Sequence, residues 1–261
     1  MNPKYAWIPL LFAVCYHASF ADERFPDSDI QWILEQYHVS EPTSLIPDEG
    51  LAGWTRYGGG QIANPSKWTN QDRKLVFEYS ERTQTFQGRD IVTEKQYTNF
   101  VLDFVWMASR GCNSGIKYRI KNFGDTGLPE ARYWLGCEFQ ILDTFHHIEV
   151  DGDPILSAAS LYELFAPNKG TKKLNPFGEV NTGRIIVMNN HIEHWLNGKK
   201  VMQCEVGSDA WQQAVAKSKF SDEQGVGFGF GENASGFISL QDHGNTITFE
   251  KIVIREIGAK K

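Results

Sequence analysis

The stretch Gly136-Cys137-Glu138-Phe139-Gln140-Ile141-Leu142-Asp143 alternates polar and apolar side chains along most of its length. Successive side chains on a β-strand point to opposite faces of the sheet. Glu138 and Gln140 therefore share one face of the predicted strand, whereas Phe139 and Ile141 share the other. The pattern predicts a strand with one buried face and one polar face.

A second acid ends this stretch. In a regular strand Asp143 falls on the apolar face, but a one-residue bulge before it would turn it back beside Glu138 and Gln140. A row of acid, amide and acid is typical of a functional site. The alternative is a half-exposed strand with a wet face, and the spacing leaves both interpretations open.

Composition narrows the class of protein. The chain has 261 residues and a net charge of −6, which suits one large all-β domain. Mild acidity and the lack of a basic run argue against a nucleic-acid partner. The aromatic content is 13 %, with 8 Trp, which is more than a core requires. Because a pyranose face stacks on an aromatic ring, this excess favours a sugar ligand.

The first residues have the pattern of a secretory signal peptide. Lys4 precedes an apolar run from Ala6 to Cys15, and Ser19-Phe20-Ala21 follows. We predict cleavage after Ala21, so that residues 1–21 are removed and the protein is secreted or periplasmic. The apolar run is too short for a stable membrane anchor, and no later segment is long enough to span a bilayer.

Three cysteines follow the predicted cleavage site, Cys112, Cys137 and Cys204. The odd number leaves at least one free thiol. Cys112 and Cys137 flank two strands that are candidate neighbours, so a disulfide between them is one interpretation. The other is that all three are small buried hydrophobic residues.

The secondary structure is predicted to be mostly strand. A short helix covers residues 27–38, and a connector containing Pro and Ser runs from about Ser40 to Asp48. Short strands follow, with an Asn197-Gly198 hairpin turn and a bulge near Glu250. The predicted strands are Lys74–Tyr79, Asp90–Thr93, Asn99–Met107, Ser114–Ile120, Gly136–Leu142, Arg184–Asn189, His191–Leu196, Lys199–Glu205, Val226–Phe230, Gly236–Gln241 and Thr246–Ile257.

Many short strands with few helices predict an all-β sandwich or jelly roll. The domain is expected to cover residues 45–257, after an N-terminal helix and connector at 22–44. Two long segments, Lys121–Leu135 and Thr144–Gly183, adjoin the two ends of the Glu138 strand. Long loops in a compact domain are usually functional, so these segments are candidates for the walls of a cleft.

An ordered set of motifs resembles the 3-keto-disaccharide hydrolase family, also described as the 3-keto-glucoside-1,2-lyase/hydratase domain. Single motifs are weak, but their order along residues 45–257 is specific. The matching segments are Gly50–Gly60, Leu75–Phe77, Asp90–Lys95, Asn113–Arg119, Gly136–Asp143, Ser160–Leu164, Gly178–Asn181, Ile192–Gly198 and Leu240–Gly244.

The resemblance implies a concanavalin A-like, laminarinase-like jelly-roll β-sandwich in which a concave sheet holds sugar. Glu138, Gln140 and Asp143 have the spacing of the catalytic row of laminarinases, where all three residues are acids. Here the middle acid is replaced by Gln140. Double-displacement glycosidases need two carboxylates at the glycosidic bond, so this difference argues against that chemistry.

The resemblance also implies a substrate that is already a ketone at C3 of a glucosyl unit. The ketone acidifies the C2 proton, so one base can form an enolate that expels the C1 substituent, and water then adds to the product. Such an enzyme needs a base, a group that stabilises the enolate oxygen and an acid. Glu138 is the candidate base, unless it is a structural acid paired with Lys117 or Arg119.

The remaining roles have several candidates. Lys117 and Arg119 share one predicted strand face and could polarise the C3 oxygen or hold hydroxyls, although ordinary solvated charges are the alternative. His194 is a candidate acid, or a buried core histidine, because alternation places it with apolar residues. Trp195 would face the other way and could stack on sugar. His243 is either a site residue or a loop cap, and Gln140 and Asp143 are candidate sugar ligands.

A loop rich in acids and histidines follows the Glu138 strand. It contains Asp143, His146, His147, Asp151 and Asp153. These oxygen and imidazole groups could bind a divalent metal, with Asp143, His147 and Asp151 as candidate ligands, and a metal would stabilise an enolate. The spacing fits no strict metal motif, so a solvated loop is the alternative. No other cofactor is expected.

Three functions remain after the sequence analysis. The preferred one is a secreted lyase/hydratase that acts on 3-keto-glycosides. Because no oxidoreductase domain is recognised in the sequence, the 3-keto substrate is expected to come from a separate sugar 3-dehydrogenase. The second is a non-catalytic carbohydrate-binding module on the same scaffold. The third is an ordinary hydrolase of unoxidised glucosides, against which the missing middle acid argues.

Overall fold

The structure is a computed structural model and describes residues 22–56, 62, 67–79, 90–122, 134–147, 152–221 and 230–260. The predicted signal peptide lies outside these residues, as do Asp151 and all but the last residue of the predicted strand Val226–Phe230. Within the described ranges, no helix is both long and apolar enough to cross a membrane.

The chain forms short helices and many strands. A 3₁₀ turn at Asp27–Ile30 leads into helix α1, Gln31–Gln36, and a second 3₁₀ turn covers Pro154–Leu156. Helix α2 spans Asp209–Lys217. The strands are β1 Tyr37–Val39, β2 Thr43–Ser44, β3 Trp54–Arg56, β4 Trp68–Gln71, β5 Lys74–Phe77, β6 Ile91–Thr93, β7 Phe100–Ala108, β8 Asn113–Asn122, β9 Trp134–Leu142, β10 Val180–Met188, β11 His191–Leu196, β12 Lys199–Glu205, β13 Phe237–Leu240 and β14 Ile247–Ala259.

Among the described residues these strands form two antiparallel sheets. The front sheet has the order β3-β6-β13-β8-β9, and the back sheet has the order β12-β11-β10-β7-β14-β5-β4, with β1 and β2 also paired to β14. Apolar residues of both sheets meet in one core. The predicted all-β jelly-roll sandwich with a short N-terminal helix is confirmed.

Strand β9 shows why the sheets pack in this way. Its alternate residues Phe139 and Ile141 are almost fully buried. The Phe139 ring packs edge-on against Phe104 of β7, with ring centroids 5.0 Å apart. The alternating pattern therefore places apolar side chains in the core and the Glu138–Gln140 pair on the outer face of the front sheet, as the sequence predicts.

The outer face of the back sheet is covered by the N-terminal segment. Ile30 and Ile33 pack with Val101 and Ile186 of the central strands β7 and β10. Arg184 Nη1 lies 3.3 Å from Asp29 Oδ2, which adds an ion pair to this contact. Because the back sheet is buried on both faces here, the polar row on the front sheet is the stronger candidate for a ligand-binding face.

Several local predictions are confirmed. Asn197 and Gly198 have φ values of 47° and 73°, as a tight hairpin turn between β11 and β12 requires. The β14–β7 register shifts between Phe249 and Lys251, which is the predicted bulge near Glu250. The sequence analysis missed β1 to β4, because strands of two to four residues carry little periodicity, and it also missed helix α2.

The cysteine alternatives are resolved by the packing. Cys112, Cys137 and Cys204 are all buried free thiols, so the suggested Cys112–Cys137 disulfide is not formed. Burial raises the pKa of Cys112 and of Cys137 to about 12, which keeps both thiols protonated. They pack as small hydrophobic residues.

Candidate active site

The outer face of the front sheet carries two parallel rows of side chains. In the first row Ser239 of β13 is opposite Lys117 of β8, and Lys117 is opposite Glu138 of β9. Beyond β9, Phe139 and Leu161 form a bridge, and the Tyr162 N–H donates to the Glu138 carbonyl. Tyr162, the first residue of the turn after this bridge, therefore lies beside Glu138, and the Glu138 charge acts on the Tyr162 hydroxyl.

The second row runs alongside the first. Gly115 of β8 is opposite Gln140 of β9, and the Gln140 N–H donates to the Ser160 carbonyl. The Gln241 N–H donates to the Gly115 carbonyl on the other side. We call the eight residues of the two rows the Glu138 patch: Ser239, Lys117, Glu138, Tyr162, Gln241, Gly115, Gln140 and Ser160.

Polar atoms in the Glu138 patch are buried without satisfied hydrogen bonds. Within the described part of the chain, no partner is found for Glu138 Oε1, Ser160 Oγ, Ser239 Oγ or Gln241 Oε1. Buried polar atoms are almost always hydrogen-bonded, so each exception needs a structural or functional explanation. Four such atoms on one sheet face offer hydrogen-bonding groups to a polar ligand.

Gly115 allows the Glu138 carboxylate to lie flat on the sheet. A Cβ atom at Gly115 would be 2.1 Å from Glu138 Oε1 and 2.8 Å from Glu138 Cδ. Only glycine therefore fits under the carboxylate in this position. The side chain of Glu138 leans from the first row across the second, toward the middle of the patch.

Burial controls the protonation of Glu138. The residue is 8 % exposed, and loss of solvent raises the pKa of its carboxyl group to about 7. Lys117 opposes this shift most strongly, Asp90 adds to it, and the more distant Lys219 and Glu163 act in opposite directions. A carboxylate with a pKa near neutrality is a suitable general base.

Two lysines border Glu138, and each is held by an acid. Lys117 Nζ is 2.8 Å from Asp90 Oδ2, and Lys219 Nζ is 3.0 Å from Glu163 Oε1. Lys117 and Tyr162 are partly exposed, so the patch changes from buried to solvent-accessible at this edge. The arrangement places a buried base between two positive charges, which is suited to stabilising negative charge on a ligand.

His194 lies in the core and not on the site face. It is fully buried, its Nε2 is 2.8 Å from the Tyr118 hydroxyl, and its Nδ1 is 3.3 Å from the Ala159 carbonyl. The carbonyl requires a proton on Nδ1, so Nε2 accepts from Tyr118. Burial lowers the pKa of His194 to about 3. The prediction of a catalytic acid is wrong here, and the buried core histidine is the correct alternative.

Trp195 is on the opposite side of the sandwich from the Glu138 patch. It packs with the cluster under the N-terminal segment, and its Nε1–H donates to Glu193 Oε2 at 2.7 Å. It therefore has no access to a sugar bound at Glu138. Other tryptophans of the described chain are core residues, which explains much of the aromatic content; Trp54, Trp68, Trp106 and Trp211 are buried.

Arg119 does not share a face with Lys117. The β8–β9 register shifts between Tyr118 and Lys121, and Arg119 has a left-handed backbone with φ of 54°. This bulge turns its side chain into the structure, where it is 1 % exposed and donates to the Asn233 and Asn189 carbonyls. Alternation fails at a bulge, so the face predicted for Arg119 was wrong.

Asp143 directly follows β9 and forms hydrogen bonds with the loop after it. Its carboxylate accepts from the Gly111 and Phe145 N–H groups and from His146 Nδ1. The predicted bulge before it is not found, and Asp143 lines a small pocket with the core-facing Trp106. Asp143 therefore does not join the Glu138–Gln140 row.

The other predicted site residues have different surroundings. Gln140 lies in the Glu138 patch, and its Nε2 donates to Asn113 Oδ1 at 3.1 Å. His243 is half-buried in the turn after β13, next to Asp242, whose N–H donates to Asp90 Oδ1. His243 therefore borders the side of the patch where Asp90 and Lys117 meet, and it stays a candidate for ligand contact.

The predicted metal ligands do not form a site within the described residues. No group of three His, Cys, Asp or Glu side chains comes together there in a way that could hold a metal ion. The Asp143 carboxylate accepts hydrogen bonds from residues of its own loop and from Gly111. Asp153 accepts from the Ile155 N–H at the start of a 3₁₀ turn, and Asp151 lies outside the described ranges. His147 contributes its backbone N–H to the Asp143 carbonyl.

Sequence reasoning missed several residues of the patch. Tyr162 and Ser160 lie within a segment that matched the family motifs, but no pattern connected them with Glu138. Ser239 and Gly115 lie on other strands, and only the register of strand pairing shows that they are near the Glu138 carboxylate. Lys219 follows the unpredicted helix α2, and no signal in the sequence marks it.

A known protein family matches most of this chain. Residues 41–255 match the family described as the 3-keto-alpha-glucoside-1,2-lyase-like domain. The chain belongs to this family. A protein named 3-keto-disaccharide hydrolase from Bacteroides thetaiotaomicron is 32 % identical over 227 residues, which cover 81 % of this chain and 77 % of the relative.

Solved structures also share the fold. A protein from Parabacteroides distasonis, provisionally assigned as a glycosyl hydrolase, superposes with a TM-score of 0.69 at 25 % identity, over 89 % of this chain and 98 % of that one. A second such protein from the same organism gives a TM-score of 0.60 at 22 % identity, over 83 % and 99 % of the two chains. Both solved structures thus have the same sandwich fold as this chain.

Proposed function

We propose that the protein is a carbohydrate-active enzyme that cleaves 3-keto-glucosides. Glu138 removes the C2 proton, the enolate expels the C1 substituent, and water then adds to give 3-keto-glucose, so that the net reaction is hydrolysis. The observation that carries the proposal is the buried Glu138 carboxylate, one oxygen of which has no hydrogen-bond partner among the described residues, and whose pKa burial raises to about 7.

Lys117 supplies the positive charge that this reaction needs. It is adjacent to Glu138 in the first row, and its ammonium group is held at 2.8 Å from Asp90. In the proposed reaction Lys117 stabilises the enolate oxygen at C3, and Gln140, Ser239 and Ser160 hold sugar hydroxyls. Charges placed where negative charge develops contribute most when water is excluded.

The carboxylates of the patch favour elimination over double displacement. A retaining glycosidase needs two carboxyl groups about 5–5.5 Å apart on either side of the bond. In the described chain, the acids that border Glu138 are Asp90 and Glu163, and both are paired with lysines. Position 140 in the adjacent row carries an amide. One base is sufficient for the proposed chemistry, since the ketone already activates C2.

Purified protein should convert a 3-keto-glucoside to 3-keto-glucose, with a transient absorbance from the enone, and should leave the unoxidised glucoside unchanged. The assay is run with and without chelator, which tests the metal requirement directly. Binding of the keto-glucoside without turnover would support a carbohydrate-binding module instead. Release of sugar from the plain glucoside would support an ordinary hydrolase.

The proposal includes a location and a source of substrate. The predicted signal peptide at residues 1–21 supports a location outside the cytoplasm, in the periplasm or the medium. The 3-keto-glucoside is produced by a separate sugar 3-dehydrogenase. Detection of a mature N-terminus after Ala21 in the extracellular or periplasmic fraction would support this location.

The charges around Glu138 give a prediction of pH dependence. Activity requires ionised Glu138, so kcat/KM should fall as the pH drops below about 7. Lys117→Met removes a charge that lowers the pKa of Glu138, so this limb should move to higher pH. Asp90→Asn removes a charge that raises the same pKa, so the limb should move to lower pH. The measurement is kcat/KM from pH 5 to 9.

Lys74→Met is the matched control, because Lys74 is paired with Glu250 on β14, in the back sheet. Its profile should coincide with that of the wild type. Shifts of the same sign for Lys117→Met and Asp90→Asn would contradict the assignment of this limb to Glu138.

A further inference from the structure

The proposed reaction needs a proton donor for the leaving group, and His194 cannot supply it. The donor must be a group on the site face that keeps a proton at neutral pH. Lys117 is assigned to the enolate oxygen, and Gln140 and the serines are weak acids. Tyr162 remains, in the turn whose first N–H donates to the Glu138 carbonyl.

Tyr162 and Lys219 form a close pair. Lys219 Nζ donates to the Tyr162 hydroxyl at 3.1 Å and also lies 4.1 Å from the centroid of the Tyr162 ring. Because an ammonium group only donates, the phenol oxygen is the acceptor and its own proton can point elsewhere. Glu163 holds Lys219 in place with a 3.0 Å ion pair.

We propose, on the basis of the function proposed above, that Tyr162 is the catalytic proton donor to the leaving-group oxygen and that Lys219 positions and polarises it. Glu138 and Tyr162 are adjacent residues beside the Phe139–Leu161 bridge, and the Glu138 charge acts on the Tyr162 hydroxyl, so base and acid can serve the adjacent carbons C2 and C1 of one sugar. Burial raises the pKa of Tyr162 although Lys219 opposes the shift, so the phenol is protonated at neutral pH.

The protons balance over the whole cycle. Glu138 takes the C2 proton, and the electron pair of that bond forms the enolate. As the C3 carbonyl is restored, a double bond forms between C1 and C2, the C1–O bond breaks, and the leaving oxygen takes the Tyr162 proton. Lys219 stabilises the phenolate. When water adds to C1, the phenolate removes a proton from it, and the acid form of Glu138 returns a proton to C2.

A series of leaving groups tests this assignment. With Tyr162→Phe, kcat/KM for an alkyl 3-keto-glucoside should fall by about 10²–10⁴-fold, the usual contribution of general acid catalysis. The nitrophenyl 3-keto-glucoside should react almost normally, because nitrophenolate leaves without protonation. In Lys219→Met, kcat/KM should also fall more for the alkyl than for the nitrophenyl substrate, but by a smaller factor. Lys219→Arg should recover part of the lost kcat/KM.

Tyr97→Phe is the matched control, since Tyr97 also has a lysine, Lys95, over its ring but packs in the main core. It should react normally with both substrates. Exchange of the substrate C2 proton in deuterated water provides a second measurement. The Tyr162→Phe variant should still catalyse this exchange, whereas the Glu138→Gln variant should not.

The outcomes separate the two proposals. Equal losses on both substrates, or no loss on either, would overturn the role of Tyr162 while leaving the function intact. If the wild-type protein neither exchanges the C2 proton nor cleaves either 3-keto-glucoside, the proposed function itself fails. Thermal unfolding of each variant establishes that a loss of activity does not result from misfolding.

Discussion

Glu138→Gln should reduce turnover of a 3-keto-glucoside by about 10²–10⁴-fold, the usual cost of losing a general base. An amide of the same shape keeps the packing but cannot remove the C2 proton. The measurement is kcat/KM with the alkyl and nitrophenyl substrates, and both should be affected equally, because proton abstraction precedes departure of either leaving group.

The same substitution should stabilise the protein above neutral pH. The native state holds the Glu138 proton up to a pKa of about 7, against 4.5 for an ordinary glutamate. This contribution to stability is complete below pH 4.5 and is lost as the pH rises through 7. At pH 8 the buried charge costs on the order of 3 kcal/mol, and Glu138→Gln removes this cost.

The Tm of Glu138→Gln should therefore exceed that of the wild type by about 5–10 °C at pH 8. The difference should be smallest at pH 5. Glu205→Gln is the matched control, because its carboxylate is exposed and lies on the back sheet; it should keep both activity and Tm. A variant that retains full activity, or one whose Tm gain does not grow with pH, would contradict the role and environment assigned to Glu138.

Gly115→Ala should inactivate the enzyme without unfolding it. The new Cβ would lie 2.1 Å from Glu138 Oε1, so the carboxylate must move away from the second row. Because the displaced atoms are the end of a flexible side chain, the stability cost should be small. Misplacement of a catalytic group by about 1 Å can cost about 10²-fold in rate, and a loss of this size in kcat is expected.

Gly258→Ala is the matched control for this experiment. Gly258 also lies in a strand, but a Cβ there meets no atom within 4 Å. It should keep its activity, and both variants should unfold close to the wild-type temperature. Full activity in Gly115→Ala would show that the position of Glu138 over Gly115 is not the productive one.

Strand positions with regular alternation were predictable from local sequence. In β9 the apolar residues Phe139 and Ile141 face the core, and Glu138 and Gln140 face outward, as expected. The hairpin at Asn197-Gly198 follows from residues that tolerate positive φ. These features depend on residues one or two positions apart, where backbone sterics and side-chain direction leave few choices.

Predictions failed where a neighbouring strand changed the local geometry. Gly136 and Gly236 flank the bulge at Arg119, and a Cβ on either would approach the backbone of residues 118–120 within 2.6 Å. This close approach allows the left-handed turn that buries Arg119. No alternating pattern in β8 reveals it, because its cause lies on two other strands.

Strand periodicity and the ordered motifs were sufficient to predict the sandwich, the family and the outward direction of Glu138. The residues that surround that carboxylate come from distant parts of the chain, and no local pattern reveals them. Strand register aligns Ser239 with Lys117 and Glu138, a turn beside β9 positions Tyr162, and Lys219 follows helix α2. The physical reason is that burial and charge act through space, so the protonation of Glu138 depends on groups that are distant along the chain.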